Sequence, residues 1–242
     1  MRLWIPACAG MTFRKILSMS YVPKVKICGI RDGDSAVEAV RAGADFLGVV
    51  LVEGVRRQLT PFRAQEVVRN YRIRARDHRI KRLREKGSKV VGLFRNQDAR
   101  WVNKTAQQVD LDCVQLNGEE DEAYMRAMWK PVIRQVRVKS DMSQGELSDL
   151  VGHHLSLDRI VLLDRYDEAA PGGTGKTFDW SIAEGIANRE GVLLAGGLYP
   201  ENVGDAIQQL SPWGVDVSTG VETDGIKDHS KIREFIETAK SV

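Results

Sequence analysis

A short apolar run, Val161-Leu-Leu-Asp164, ends on a carboxylate, and the glycine-rich stretch Pro171-Gly-Gly-Thr-Gly-Lys-Thr-Phe-Asp-Trp180 follows it. The run reads as a buried strand. In α/β proteins chemistry collects at the carboxyl ends of strands, because loops there can surround a ligand while the sheet stays rigid. Asp164 is therefore a candidate for proton transfer, and the stretch after it a candidate lid. A second reactive group lies in Val25-Lys-Ile-Cys-Gly-Ile30. Strand side chains alternate, so Lys26 and Cys28 share a face about 7 Å apart. An ammonium nearby draws a thiol pKa from about 8.5 toward neutrality, which makes a usable base or nucleophile. Cys28 also fits as a small buried hydrophobe, the commoner use of a free thiol. Cys113 falls mid-strand and Cys8 in an amino-terminal stretch, and neither is expected to react.

Two glycine elements come late, Leu194-Ala-Gly-Gly-Leu198 and Val215-Asp-Val-Ser-Thr-Gly-Val221. Bare glycines such as Gly197 and Gly220 let backbone N–H groups approach phosphate oxygens, and Ser218 and Thr219 can add hydroxyl donors. A tight turn is the other use of such a pair. Arg56-Arg57 follows the second apolar run, and a guanidinium fork matches a carboxylate; a surface pair is the plainer reading. Ala170 to Thr177 approaches the P-loop pattern, which needs a first glycine directly after a strand and a helix behind it. Here Ala170 takes that first place and the strand ends early, at Asp164, so nucleotide binding is the weaker alternative. His78, His153, His154 and His229 lie in helical or connecting segments, and no pair has metal-ligand spacing beside a strand-end carboxylate. The base must then be Cys28 or a carboxylate, with no metal or organic cofactor expected.

These groups need a scaffold that brings strand ends together. Apolar runs recur at Val25–Ile30, Phe46–Leu51, Val90–Phe94, Cys113–Leu116, Val132–Val138, Ile160–Leu163, Val192–Leu194 and Val215–Val217. Between them lie helical spacings, among them Ser35–Val40, Trp180–Asn188, Pro200–Ile207 and Ser230–Lys240, most opening on Asp, Ser, Thr or Pro as helix starts do. Eight strands alternating with eight helices predict a single α/β domain, a (β/α)8 TIM barrel, for which about 250 residues is typical. A doubly wound sheet is the competitor, and the even count with no composition shift favours the barrel.

The chain has 242 residues, 43% hydrophobic and 29% charged, as in a soluble globular protein, and a net charge of +3 does not by itself call for nucleic acid. Three cysteines at unpatterned spacing argue against a disulfide framework or zinc site and fit a reducing cytoplasm. No apolar run reaches the roughly 18 residues of a membrane helix. Residues 1–23 read as a disordered extension that folding does not need, with Met11 or Met19 as the working start, and residues 24–242 as the barrel. Arg69 to Lys89 carries ten basic residues against Asp77 and Glu85, a local +8. It reads as a solvated extension of the second helix rather than a patch for nucleic acid, since only Tyr71 is there to stack on bases.

From Lys24 to Val242 the chain resembles phosphoribosylanthranilate isomerase. The resemblance rests on Lys26-Ile-Cys-Gly-Ile30, Val114-Gln-Leu-Asn-Gly-Glu119, Gly172-Gly-Thr-Gly-Lys-Thr-Phe-Asp-Trp180, Ala195-Gly-Gly-Leu-Tyr-Pro-Glu-Asn-Val203 and Gly214 to Asp228. It implies an Amadori rearrangement of N-(5-phosphoribosyl)anthranilate in tryptophan biosynthesis, with Asp164 as general acid and Cys28 as general base. It further implies that Arg57 holds the anthranilate carboxylate, that Gly197, Ser218, Thr219 and Gly220 belong to the phosphate loops, and that Asp216 supports them by a hydrogen bond. The partner is then a small phosphorylated substrate, with neither nucleic acid nor membrane. Val52-Glu-Gly-Val-Arg56 replaces the family's usual aromatic and proline-bearing loop, and Asn117 stands where histidine is common. Another phosphosugar barrel using two opposed aspartates, and a non-catalytic phosphate- or nucleic-acid-binding relative, are the alternatives.

Overall fold

A computed structural model describes residues 21–75, 87–165 and 179–241 of the protein. The strands are β1 (Lys24–Ile27), β2 (Phe46–Val50), β3 (Lys89–Phe94), β4 (Cys113–Leu116), β5 (Val132–Val138), β6 (Ile160–Arg165), β7 (Val192–Leu194) and β8 (Gly214–Val217). They close into one parallel barrel in sequence order, with β1 paired to β8 through Lys26 opposite Asp216. Closure rules out the doubly wound sheet. A small hairpin, β9 (Glu222–Thr223) and β10 (Ile226–Lys227), follows β8. The helices are α1 (Gly33–Ala42), α2 (Pro61–Ala75), α3 (Ala99–Val109), α4 (Glu122–Arg126), α5 (Gln144–Leu155), α6 (Val203–Leu210) and α7 (His229–Ser241).

Local chemistry sets several helix ends. Asp32 accepts from the Ser35 N–H at 2.7 Å to open α1, and Gly43, at φ 115°, ends it in the left-handed conformation that a side chain disfavours. Ser143 and Glu146 cap each other's backbone at the start of α5. The sixth connection departs from expectation. Trp180–Asn188 forms only a 3-10 helix, Trp180–Ala183, because Gly185 turns to φ 69° and stops an α-helix from propagating. Helix α6 likewise begins at Val203, three residues after Pro200.

Alternation along each strand sorts the core into two layers. Val25, Ile27, Leu47, Val49, Val114, Leu116, Val161 and Leu163 pack outward against the helices. Cys28, Val50, Leu93, Ile133, Leu162 and Leu193 fill the barrel interior. Polar residues at the inward positions near the strands' carboxyl ends interrupt that filling, which makes the mouth chemically distinct from the packed middle.

Two expectations on the flanks fall mostly outside the described residues: the extension through residue 20, and the basic stretch beyond Ala75 up to residue 86. What is described of them is tied down. The Tyr21 hydroxyl donates to the Pro212 carbonyl. Arg72 donates to Asp112 at 3.0 Å, and Arg74 pairs with Asp34.

Candidate active site

A cavity of about 150 Å³ opens at the carboxyl ends of the strands. Cys28, just past β1, and Asp164, on β6, both line it, together with Arg57, Asp216 and Ser218. Gly197, Thr219 and Gly220 are not among its walls. Gly220 instead packs so closely on the Leu198 carbonyl that any side chain would collide, which joins the loops after β7 and β8. The glycine-rich stretch expected to act as a lid lies outside the described residues up to residue 178, and so does the whole Ala170–Thr177 segment.

Asp164 is half-buried. Its Oδ2 accepts from Gln135 Nε2 at 2.7 Å and its Oδ1 from the Arg165 N–H at 2.9 Å. Burial, aided by the negative charge of Asp216, outweighs those bonds and the Lys26 charge and pushes the carboxyl up to about 6. Gly196, at φ 88°, lies under it, where a Cβ would come within 3.1 Å of Oδ1.

Lys26 is wholly buried and donates to Asp216 Oδ1 at 2.8 Å. Burial works against its charge, but Asp216 and Cys28 outweigh burial and hold it as an ammonium. The expectation that Lys26 brings the Cys28 thiol toward neutrality needs correction. Lys26 and Lys227 do pull it down, yet burial dominates and Asp216 adds to it, so the thiol sits above its ordinary value. The lysine is already paired with a carboxylate that sequence spacing could not reveal.

Arg57 is also less free than expected. Its Nε donates to Glu222 Oε1 at 2.6 Å, and its Nη2 donates to Glu222 Oε2 and Thr219 Oγ1, each at 2.8 Å. Glu222 further accepts from Arg56 at 2.6 Å and from Lys227 at 3.0 Å. Burial alone would raise that carboxyl; Arg57 and Lys227 overcome it and bring it down to about 2. Thr219 thus faces Arg57. Ser218 donates to the Cys28 carbonyl at 3.2 Å while still lining the cavity.

Over residues 25–238 the chain matches the sequence family described as N-(5'phosphoribosyl)anthranilate (PRA) isomerase. The chain belongs to the phosphoribosylanthranilate isomerase family. A Pelobacter propionicus protein named N-(5'-phosphoribosyl)anthranilate isomerase is 40% identical over 218 residues, which cover 90% of this chain and 95% of that one. The crystal structure of phosphoribosyl anthranilate isomerase from Thermotoga maritima superposes with a TM-score of 0.74 at 32% identity, covering 91% of this chain and all (100%) of that one. A crystal structure of phosphoribosyl anthranilate isomerase in complex with reduced 1-(o-carboxyphenylamino)-1-deoxyribulose 5-phosphate gives a TM-score of 0.71 at 31% identity, with coverage of 91% of this chain and 100% of that one.

Sequence reading overlooked Gln135, Glu222 and Lys227. Gln135 carried a usable signal, since a polar residue two places after the inward Ile133 must face the barrel mouth. Glu222 carried none, because Arg56 and Arg57, two of its three partners, lie on another loop. Asn117, the departure from the family's histidine, lines the cavity and accepts from Gln115 Nε2 at 2.9 Å.

Proposed function

We propose that this chain converts N-(5-phosphoribosyl)anthranilate to 1-(2-carboxyphenylamino)-1-deoxyribulose 5-phosphate in tryptophan biosynthesis, with Asp164 as general acid and Cys28 as general base. One observation carries the division of labour: a thiol just past β1 and a carboxyl on β6 share one cavity, and the carboxyl, raised to about 6, holds its proton on a minor but usable fraction of molecules at neutrality. Asp164 donates its proton to the furanose ring oxygen as the C1–O bond breaks, leaving an iminium at C1. The Cys28 thiolate then removes the C2 proton, and the electron pair of that C–H bond neutralises the iminium to give an enolamine. Tautomerisation yields the ketone.

The reactive pair needs a thiolate beside a protonated carboxyl, the reverse of the order in which the two groups titrate alone. Lys26 and Lys227, both buried and both pulling the thiol down, support that state, and the positive iminium favours transfer to sulfur. Arg57 takes the anthranilate carboxylate through the part of its guanidinium that Glu222 leaves open. The loops bearing Gly197, Ser218, Thr219 and Gly220 take the phosphate, and Asp216 acts by holding Lys26 in place.

The two-aspartate alternative is disfavoured because the β1 position is Cys28, while Asp216 is neutralised by Lys26. Nucleic-acid binding is disfavoured because Arg72 and Arg74 are engaged by acidic neighbours. A cytoplasmic location fits the free thiols Cys28 and Cys113. Among the described residues no helix is long and apolar enough to cross a membrane. The test is direct: freshly made phosphoribosylanthranilate should lose its fluorescence faster when the protein is added. A decay unchanged at any protein concentration would defeat the reading.

A further inference from the structure

Glu222 is nearly buried, yet it collects three cations from two loops: Arg56 and Arg57 after β2, and Lys227 on β10. Its contact with Arg57 is a two-point fork that uses Nε and one hydrogen of Nη2, while Thr219 takes the other. Of the five donors of a guanidinium, only the Nη1 pair then remains for a ligand. The arginine's stem is fixed from below as well, because its Cδ lies 2.5 Å from where a Cβ on Gly29 would be, directly after Cys28. Lys227 meanwhile donates to the Ser218 carbonyl at 2.7 Å, on the segment assigned to phosphate.

We propose that Glu222 is a positioning residue for the reaction. It turns Arg57 so that a single edge faces the cavity, and it ties that arginine to the Ser218–Lys227 segment. The spacing between the carboxylate-binding and phosphate-binding ends of the site is thereby set by one side chain. A flexible arginine would accept a carboxylate over a range of positions. A clamped one selects a substrate whose carboxylate sits at one distance from its phosphate, which is the chemistry of a rigid aryl acid on a phosphosugar. This rests on the isomerase reading for the identity of the substrate, though the clamp itself is a matter of geometry.

Glu222→Ala and the milder Glu222→Gln are compared with the parent in turnover, and in calorimetric binding of reduced 1-(o-carboxyphenylamino)-1-deoxyribulose 5-phosphate, which needs no turnover. The alanine variant should raise KM and weaken analogue binding roughly 30-fold while kcat falls less than about threefold, the pattern of lost ground-state binding. The glutamine variant, which keeps one acceptor, should recover most of that loss. In an Arg57→Ala background the Glu222→Ala effect should vanish, because a residue acting through another shows no independent effect once that partner is gone. Inorganic phosphate should still compete as it does with the parent. Analogue affinity within twofold of the parent in folded Glu222→Ala, or an undiminished effect in the Arg57→Ala background, overturns the proposal. A parent that binds the analogue but fails to turn over phosphoribosylanthranilate would instead sink the isomerase reading and leave the clamp standing.

Discussion

The two ends of the barrel hold hollows of opposite character. At the base, a cavity of about 620 Å³ lies among Lys24, Asp45, Phe46, Arg159 and Trp213. At the mouth the space is about 150 Å³. The larger is the poorer site. Asp45 is satisfied by Lys24, Lys240 and the Val25 N–H, and Arg159 by Glu122, so the base pairs its charges near the surface. The mouth buries Cys28, Lys26 and Asp216 together beside a half-buried Asp164, with the Lys26 ammonium facing two groups that compete for it. The same contrast holds between the two inward thiols. Cys113 opens β4 rather than lying mid-strand; Cys28 stands beyond the end of β1. Burial raises both. Of the two, only Cys28 shares a cavity with Asp164, so position along the strand separates the thiol proposed as the base from one that packs.

The strongest way to break this comparison is to exchange the thiols' fates. Cys28→Ala and Asp164→Asn should each lower kcat by about 10³ or more, given what general acids and bases contribute. Cys113→Ala should turn over within about twofold of the parent. Comparable rates in all three would erase the distinction between mouth and base. Next in size is Lys26→Met, which strands Asp216 without its cation. Breaking a buried pair from one side costs about 3–5 kcal/mol, and urea unfolding should register it. A loss below about 1 kcal/mol would mean that water already reaches the pair.

Asp164 offers a sharper test, because its proposed role as the acid and its effect on stability pull in opposite directions. A carboxyl raised from 3.8 to about 6 by burial is less stable ionised in the fold than in the unfolded chain. That penalty is full above pH 6, shrinks as pH falls through the folded value and is gone below the unfolded one. Asp164→Asn should therefore stabilise the inactive protein at pH 7 by up to about 3 kcal/mol, and the gain should fade between pH 6 and 4. A pH-independent difference would remove burial as the cause. The smallest effect belongs to the base. Lys24→Ala removes a partly exposed pair and should cost less than about 1 kcal/mol with no change in rate.

Much of the fold was legible because its signals are local. The eight apolar runs match the eight barrel strands to within a few residues, since a strand buried on both faces reads as a continuous hydrophobic stretch. The sixth helix failed because amphipathic spacing over Trp180–Asn188 says nothing of Gly185's left-handed turn. Cys28 and Asp164 were readable as side chains at strand ends, and Arg57 as one on the loop after β2. Their protonation and their partners were not.

Sequence by itself determined that eight strands would alternate with helical crossovers, and that a thiol and a carboxyl would stand at two strand ends. Both follow from the repeat of side-chain direction among neighbours in the chain. Tertiary structure alone decided that Lys26 meets Asp216 across 190 residues, that Arg57 is held by Glu222 across 165, and that the Cys28 thiol rises rather than falls. A charge responds to everything within a few ångströms and to the loss of water around it. Those surroundings exist only once the barrel has closed.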